Sequence, residues 1–277
     1  MIGDKINEIN LEYIKNQLKT NILGRKILYF QSLASTNKKA CDMLQKGGAE
    51  KGLVLIAEEQ TAGRGRQGKG WYSPCGTGLY FTILLEPCVV SQKYYLITVI
   101  SCLSVVKSLE DINVYPQIKW PNDLLLEGKK ICGILSQLQS GKNDEKYFVV
   151  GIGLNLNQRE FPSDLKEATS VYNLTEKKVD RTELLKKILE NIEYYYLELK
   201  KGKEDKLLSS WKNKLAWFNK QVIVKDRTNQ WQGRLAGISK RGELILEMNT
   251  GEKKKFWAGN LSLRKQSKRG GINDFNN

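Results

Sequence analysis

Two apolar runs flank a basic, glycine-rich stretch, and their order limits what this chain can fold into. "GLVLIAEE" (52–59) and "LYFTILLE" (79–86) each read as a buried strand. Between them lies "TAGRGRQGKGW" (61–71). Gly63, Gly65 and Gly68 match the dinucleotide fingerprint G-x-G-x-x-G, while Gly63, Gly68 and Lys69 match most of a P-loop. Both patterns work only as a turn that opens a helix. Here "WYSPCGTG" (71–78) follows, and Pro74, Gly76 and Gly78 do not belong together in a first helical turn. Gly70 also stands where a P-loop needs a hydroxyl. The remaining reading is strand, mobile loop, strand, with Arg64, Arg66 and Lys69 available to an anion.

The rest of the chain alternates helix and strand. An amphipathic helix is expected near 9–20, a strand at 25–33 and a helix over 35–48. A second amphipathic helix is expected near 93–110. A strand–turn–strand unit spans 116–140, with Glu127-Gly128 as hairpin tip, and a further strand covers 146–157. Asp180 with Glu183 caps a long helix over 180–202. This is a layered α/β or α+β domain. After Trp217 the pattern changes to short strands separated by turns, a small all-β unit of the SH3-like barrel kind. The expected division is 1–216, 217–264 and a disordered tail at 265–277.

Composition excludes several chemistries. The chain of 277 residues has no histidine, which removes a histidine general base, a Ser-His-Asp triad and any His-ligated metal. Its five cysteines are scattered without C-x-x-C spacing, so neither a disulfide framework nor a zinc site is supported, and a cytoplasmic location is expected. The first ten residues are too polar for a signal peptide. The apolar run at 94–106 is shorter than the ~20 residues a bilayer needs. A net charge of +15 suits an anionic partner, or simply keeps a lysine-rich chain soluble.

Three further stretches combine residue types used in anion chemistry. "STN" (35–37) opens a helix and, taken alone, reads as an ordinary N-cap. "KWPND" (119–123) gathers a cation, an aromatic ring, an amide and a carboxylate around a proline, and reads equally as a turn. "GKKICGIL" (128–135) places Lys129 and Lys130 on opposite strand faces, and the inward one needs an anion.

Together, "GRGRQGKGW", "KWPND", "KKICGIL" and "GIGLNLN" resemble the biotin protein ligases in order and spacing. The likeness is strongest over 25–160, and "GNLSLR" is similar to the end of that family's SH3-like domain. The resemblance implies an α+β, class II aminoacyl-tRNA synthetase/biotin ligase-like catalytic domain with a mixed sheet. It implies a reaction in two steps. Biotin is activated by ATP as biotinyl-5′-AMP, then passed to a lysine of a biotin carboxyl carrier protein. By position, Ser35, Thr36 and Asn37 hydrogen-bond biotin's ring system. Gln60, Arg64, Gly65 and Arg66 close over biotin and phosphate, and Trp71 stacks beside adenine. Lys119, Asn122 and Asp123 serve ATP and its Mg²⁺, Asp123 as a candidate ligand. Lys130 binds the carboxylate and α-phosphate, with Lys130 and Arg66 as the catalytic cations, and Asn155 reaches the adenylate.

The sequence departs from the family pattern at Lys69, where arginine is usual, which exchanges a fork of donors for a point charge. Only 34 residues precede "STN", too few for the winged helix-turn-helix of some members plus the first elements of the fold, so no DNA binding is expected. A homodimer is a family possibility. Two other readings compete: a lipoate ligase of the same fold, and a basic nucleic-acid binder built on the small β unit.

Overall fold

A computed structural model describes residues 8–258 and 261–265; the tail expected from 265 lies, from 266 onward, outside the described residues. Contacts divide the chain into a larger unit, Met1–Ala216, and a smaller one, Trp217–Asn277.

The larger unit is built on a seven-stranded mixed sheet. Its strands are β1 (Ile27–Leu33), β2 (Val54–Gln60), β3 (Gly78–Leu85), β4 (Gln117–Lys119), β5 (Asp123–Leu126), β6 (Lys129–Ser140) and β7 (Lys146–Asn155). They are ordered β1-β2-β3-β7-β6-β5-β4, and only β1 and β2 run parallel. All eight positions of β3 are buried, as a strand covered on both faces requires. Helix α1 (Leu11–Gln17) precedes the sheet, and α2 (Thr36–Gln45) packs on one face. There Ala40 and Leu44 meet Leu53, Leu55, Leu84 and Val149. Helices α3 (Tyr95–Glu110) and α5 (Arg181–Lys200) pack on each other and against β5, β6 and β3. The short helices α4 (Val171–Thr175) and α6 (Glu204–Asn213) complete the unit.

Local chemistry explains these elements. Asp180 caps α5 by accepting the Glu183 N–H at 3.0 Å. Glu127 and Gly128 both have positive φ (50° and 83°), the backbone of a two-residue hairpin turn between β5 and β6. Helix α3 departs from the expected amphipathic pattern, since it is buried nearly all round. Its serines make this possible: Ser101, Ser104 and Ser108 donate to the carbonyls of Ile97, Ile100 and Ser104 at 2.7–2.8 Å. Among the described residues no helix is long and apolar enough to cross a membrane.

The smaller unit is a five-stranded antiparallel sheet. Its strands β8 (Gln221–Lys225), β9 (Gln230–Ile238), β10 (Leu244–Met248), β11 (Lys253–Phe256) and β12 (Ser262–Lys265) run in the order β11-β10-β9-β8-β12. Val222, Val224, Leu235, Leu244, Leu246, Phe256 and Leu263 form its core. Among the described residues no strand pairing closes this sheet into the expected SH3-like barrel.

Candidate active site

The basic stretch after β2 folds back on itself. Gln60 and Ser73 form its base, Trp71 N–H donates to Gly63 O at 2.9 Å, and Gly65 N–H donates to Lys69 O at 2.7 Å. Gln67 and Gly68 turn the tip with positive φ. The stretch read from the sequence as a loop thus folds back as a small hairpin arm. The arm sorts its cations: Arg64 and Lys69 face solvent, whereas Arg66 is half-buried. Burial lowers the Arg66 pKa, and nearby Asp123 acts in the opposite direction.

Arg66 Nη1 donates to Asn122 Oδ1 at 2.9 Å, and Asn122 Nδ2 donates to Ile134 O at 2.7 Å. Asp123, next in the chain, pairs with Lys130 at 2.6 Å. Lys119 stands opposite Asp123 across the β4–β5 ladder. The "KWPND" turn thus brings Lys119, Asn122 and Asp123 to the sheet end where Lys130 emerges.

A bulge decides where Lys130 points. In the β5–β6 ladder Leu125 faces Lys130 but Leu124 faces Cys132, so Ile131 is the extra residue. Strict alternation would send residues 130 and 133 to opposite faces. With the bulge they share one: a Cβ on Gly133 would lie 3.4 Å from Lys130 Nζ.

Gly133 and Gly153 are paired neighbours on β6 and β7, and together they form a bare floor. The Trp71 indole lies on it. A Cβ on Gly153 would sit 2.3 Å from Trp71 Nε1, and one on Gly133 would sit 3.0 Å from the ring. Lys130 Nζ lies 5.3 Å from the centre of the same ring. The indole Nε1 is buried without a hydrogen-bond partner.

The other end of the site is polar and buried. Ser35 caps α2, its hydroxyl accepting the Lys38 N–H. Gln60 Oε1 accepts from Thr36 N at 2.9 Å and Thr36 Oγ1 at 3.1 Å, while its Nε2 donates to Ser73 Oγ at 3.1 Å. Asn37 lies over Gly151, where a Cβ would come within 2.0 Å of its amide oxygen. Asn37 Nδ2 donates to Leu135 O at 3.3 Å. Asn155 is 3 % exposed; its Nδ2 donates to Thr169 O at 3.0 Å and its Oδ1 accepts from Gln158 Nε2 at 3.3 Å. That amide holds the wall segment after β7.

The residues singled out in the sequence therefore lie along one face of the larger sheet, from the middle of β3, β7 and β6 to the end where Lys130 emerges, except that the side chains of Arg64 and Lys69 face outward. Sequence reasoning missed Thr82, Ser73, the floor glycines Gly133 and Gly153, and Gly151 beneath Asn37. Thr82 is the only hydroxyl-bearing aliphatic residue in the apolar core of "LYFTILLE", and Gly151 and Gly153 alternate onto one face of "GIGLN"; both signals were available. Among the described residues no group of three or more Cys, Asp or Glu side chains is placed to hold a metal ion.

Residues 29–155 match the Biotin/lipoate A/B protein ligase family, and residues 218–264 match the biotin protein ligase C-terminal domain. The bifunctional ligase/repressor BirA of Bacillus subtilis is 32% identical over 258 residues, covering 92% of this chain and 79% of that protein. A biotin–[acetyl-CoA-carboxylase] ligase of Mycobacterium tuberculosis is 32% identical, covering 65% of this chain and 69% of its own length. The biotin protein ligase of Aquifex aeolicus, solved with biotin and ATP, superposes with a TM-score of 0.77 at 32% identity, over 87% of this chain and 100% of that one.

Proposed function

Since the chain belongs to the biotin protein ligase family, we propose that it activates biotin with ATP and transfers it to a lysine of a biotin carboxyl carrier protein. The observation that carries this reading is the joining of two unlike ends over one glycine floor. One end is a buried set of neutral hydrogen-bonding groups around Thr36 and Gln60. The other is a set of cations and a carboxylate around Lys130.

In the first step a biotin carboxylate oxygen attacks the α-phosphorus of ATP. The bond to the β-phosphate oxygen breaks, and pyrophosphate leaves with its electron pair. Two anions meet, so cations stabilise the charge that builds up. Lys130 and Arg66 are the side chains we assign to this, Lys130 at the carboxylate and α-phosphate and Arg66 at the mixed anhydride. Ser35, Thr36, Asn37 and Gln60 frame the ring end of biotin. Arg64 and Gly65 lie in the arm that covers it, and Trp71 serves the adenine side. Lys119 and Asn122 belong to the nucleotide end, and Asn155 acts there through the wall it holds. Mg²⁺ is included in the proposal as the ion that neutralises the ATP phosphates. Asp123 fits it as a single carboxylate ligand, the usual share a protein supplies to magnesium bound with a nucleotide.

In the second step a neutral lysine amine attacks the acyl carbon, the bond to AMP breaks, and the new amide nitrogen gives its extra proton to solvent. Neither step requires a histidine. All five thiols are free, which suits a reducing cytoplasm. Homodimer formation belongs to the same proposal. The competing substrate is lipoate. Thermal unfolding with each acid in turn separates them: biotin should raise the midpoint, and a rise with lipoate alone would reject the reading.

A further inference from the structure

Thr82 sits fully buried in the middle of β3. Its hydroxyl lies 2.6 Å from Asn37 Oδ1 and 2.8 Å from Thr36 Oγ1. The direction of these bonds follows from chemistry. Leu135 O can only accept, so the Asn37 amide turns its nitrogen there and its oxygen to Thr82. That amide oxygen can also only accept, so the single Thr82 proton goes to it. The Thr82 oxygen is then the acceptor that faces the Thr36 hydroxyl. Gln60 Oε1 already takes the Thr36 backbone N–H at 2.9 Å. The Thr36 proton has two acceptors in reach, Thr82 Oγ1 at 2.8 Å and Gln60 Oε1 at 3.1 Å, so the Thr36 oxygen keeps a lone pair for an incoming N–H donor, as on a cyclic urea. Asn37 cannot relax out of this arrangement, because its amide is packed on Gly151.

We infer that Thr82 is a positioning residue for biotin recognition, acting through Thr36 and Asn37 without touching the ligand. The inference rests on the ligase reading above. It predicts a defect confined to one substrate. Val has nearly the shape of Thr but offers neither donor nor acceptor, so Thr82→Val leaves the Asn37 oxygen buried and unpaired and leaves the Thr36 hydroxyl held by Gln60 alone.

The experiment is steady-state adenylate formation, read as pyrophosphate release with biotin and ATP varied separately. Thr82→Val should raise KM for biotin by roughly tenfold or more, the size of a lost buried hydrogen bond. The ATP KM and kcat at saturating biotin should stay near the parent values. Thr82→Ser keeps the hydroxyl and should restore the biotin KM. If the valine variant does not fold, Thr82→Ala is read the same way. A parent chain that is active beside a Thr82→Val of unchanged biotin KM overturns the inference alone. So does a variant in which both KM values rise together and serine does not rescue. A parent chain that makes no biotinyl-5′-AMP overturns the ligase reading, and this inference with it.

Discussion

The Lys130 ammonium lies 2.6 Å from Asp123 Oδ1 and 5.3 Å from the centre of the Trp71 ring. The cation assigned to the α-phosphate is thus oriented by the protein's own groups, a carboxylate on one side and an indole on the other. Preorganised charge costs little reorganisation when the transition state forms. Lys130→Ala should slow adenylate formation by ~10²–10³-fold, as loss of one oxyanion donor does elsewhere. Biotin binding should weaken far less. Single-turnover kinetics beside equilibrium binding would separate the two, and a variant with near-parent adenylate formation would place the role on another residue.

Arg66 reaches inward from the hairpin arm to Asn122, so it links the arm to the "KWPND" turn. Arg66→Gly removes that link and, on the proposed assignment, a charge-assisted contact to phosphate worth ~1.5–3 kcal/mol. Escape of biotinyl-5′-AMP should rise roughly ten- to a hundredfold. Labelling of bystander proteins in a mixed lysate, read by streptavidin blot, should increase accordingly. Bystander labelling no greater than the parent's would mean that another group retains the adenylate, with Arg64 and Lys69 the next to test.

The arm is held by a few backbone hydrogen bonds around positive-φ residues at its tip, and two of its three cations face solvent. Biotin together with ATP should protect residues 63–70 from protease and slow their amide exchange. Equal cleavage with and without ligands would argue that the arm is not a lid.

Much of this arrangement was legible in the sequence. The apolar runs, the Asp180 cap and the Glu127-Gly128 tip follow from periodicity and turn chemistry, and the motif order points to the family. Other features were hidden for physical reasons. Helix α3 reads as amphipathic because its serines count as polar, yet they satisfy themselves on the helix's own carbonyls. Alternation along β6 puts Lys130 and Gly133 on opposite faces, and only the cross-strand register exposes the bulge that reunites them. The arm looked like open loop because its pairing uses backbone groups, which any sequence carries. Thr82 went unnoticed since its partners lie 45 and 46 residues away.

The buried pair between Arg181 and Glu58 offers a stability test. Its nitrogen–oxygen distance is 2.8 Å, and both side chains are almost wholly enclosed, at 3 % and 1 % exposure. Arg181 also donates to Gly78 O at 3.0 Å, tying the start of α5 to the start of β3. Arg181→Met alone should cost about 3–5 kcal/mol, because an unpaired carboxylate stays buried. Adding Glu58→Leu should recover a large part of the loss. Urea denaturation of the single and double variants checks both signs, and a single variant as stable as the parent would refute the assignment.

The central claim is that this chain makes an acyl-adenylate of biotin, and mass spectrometry of a stoichiometric reaction tests it most directly. Protein incubated with biotin, ATP and Mg²⁺ should yield biotinyl-5′-AMP with release of pyrophosphate. Addition of a biotin carboxyl carrier domain should convert the adenylate to AMP and a biotinylated lysine. No adenylate from biotin, or an adenylate from lipoate but not from biotin under the same conditions, would contradict the account.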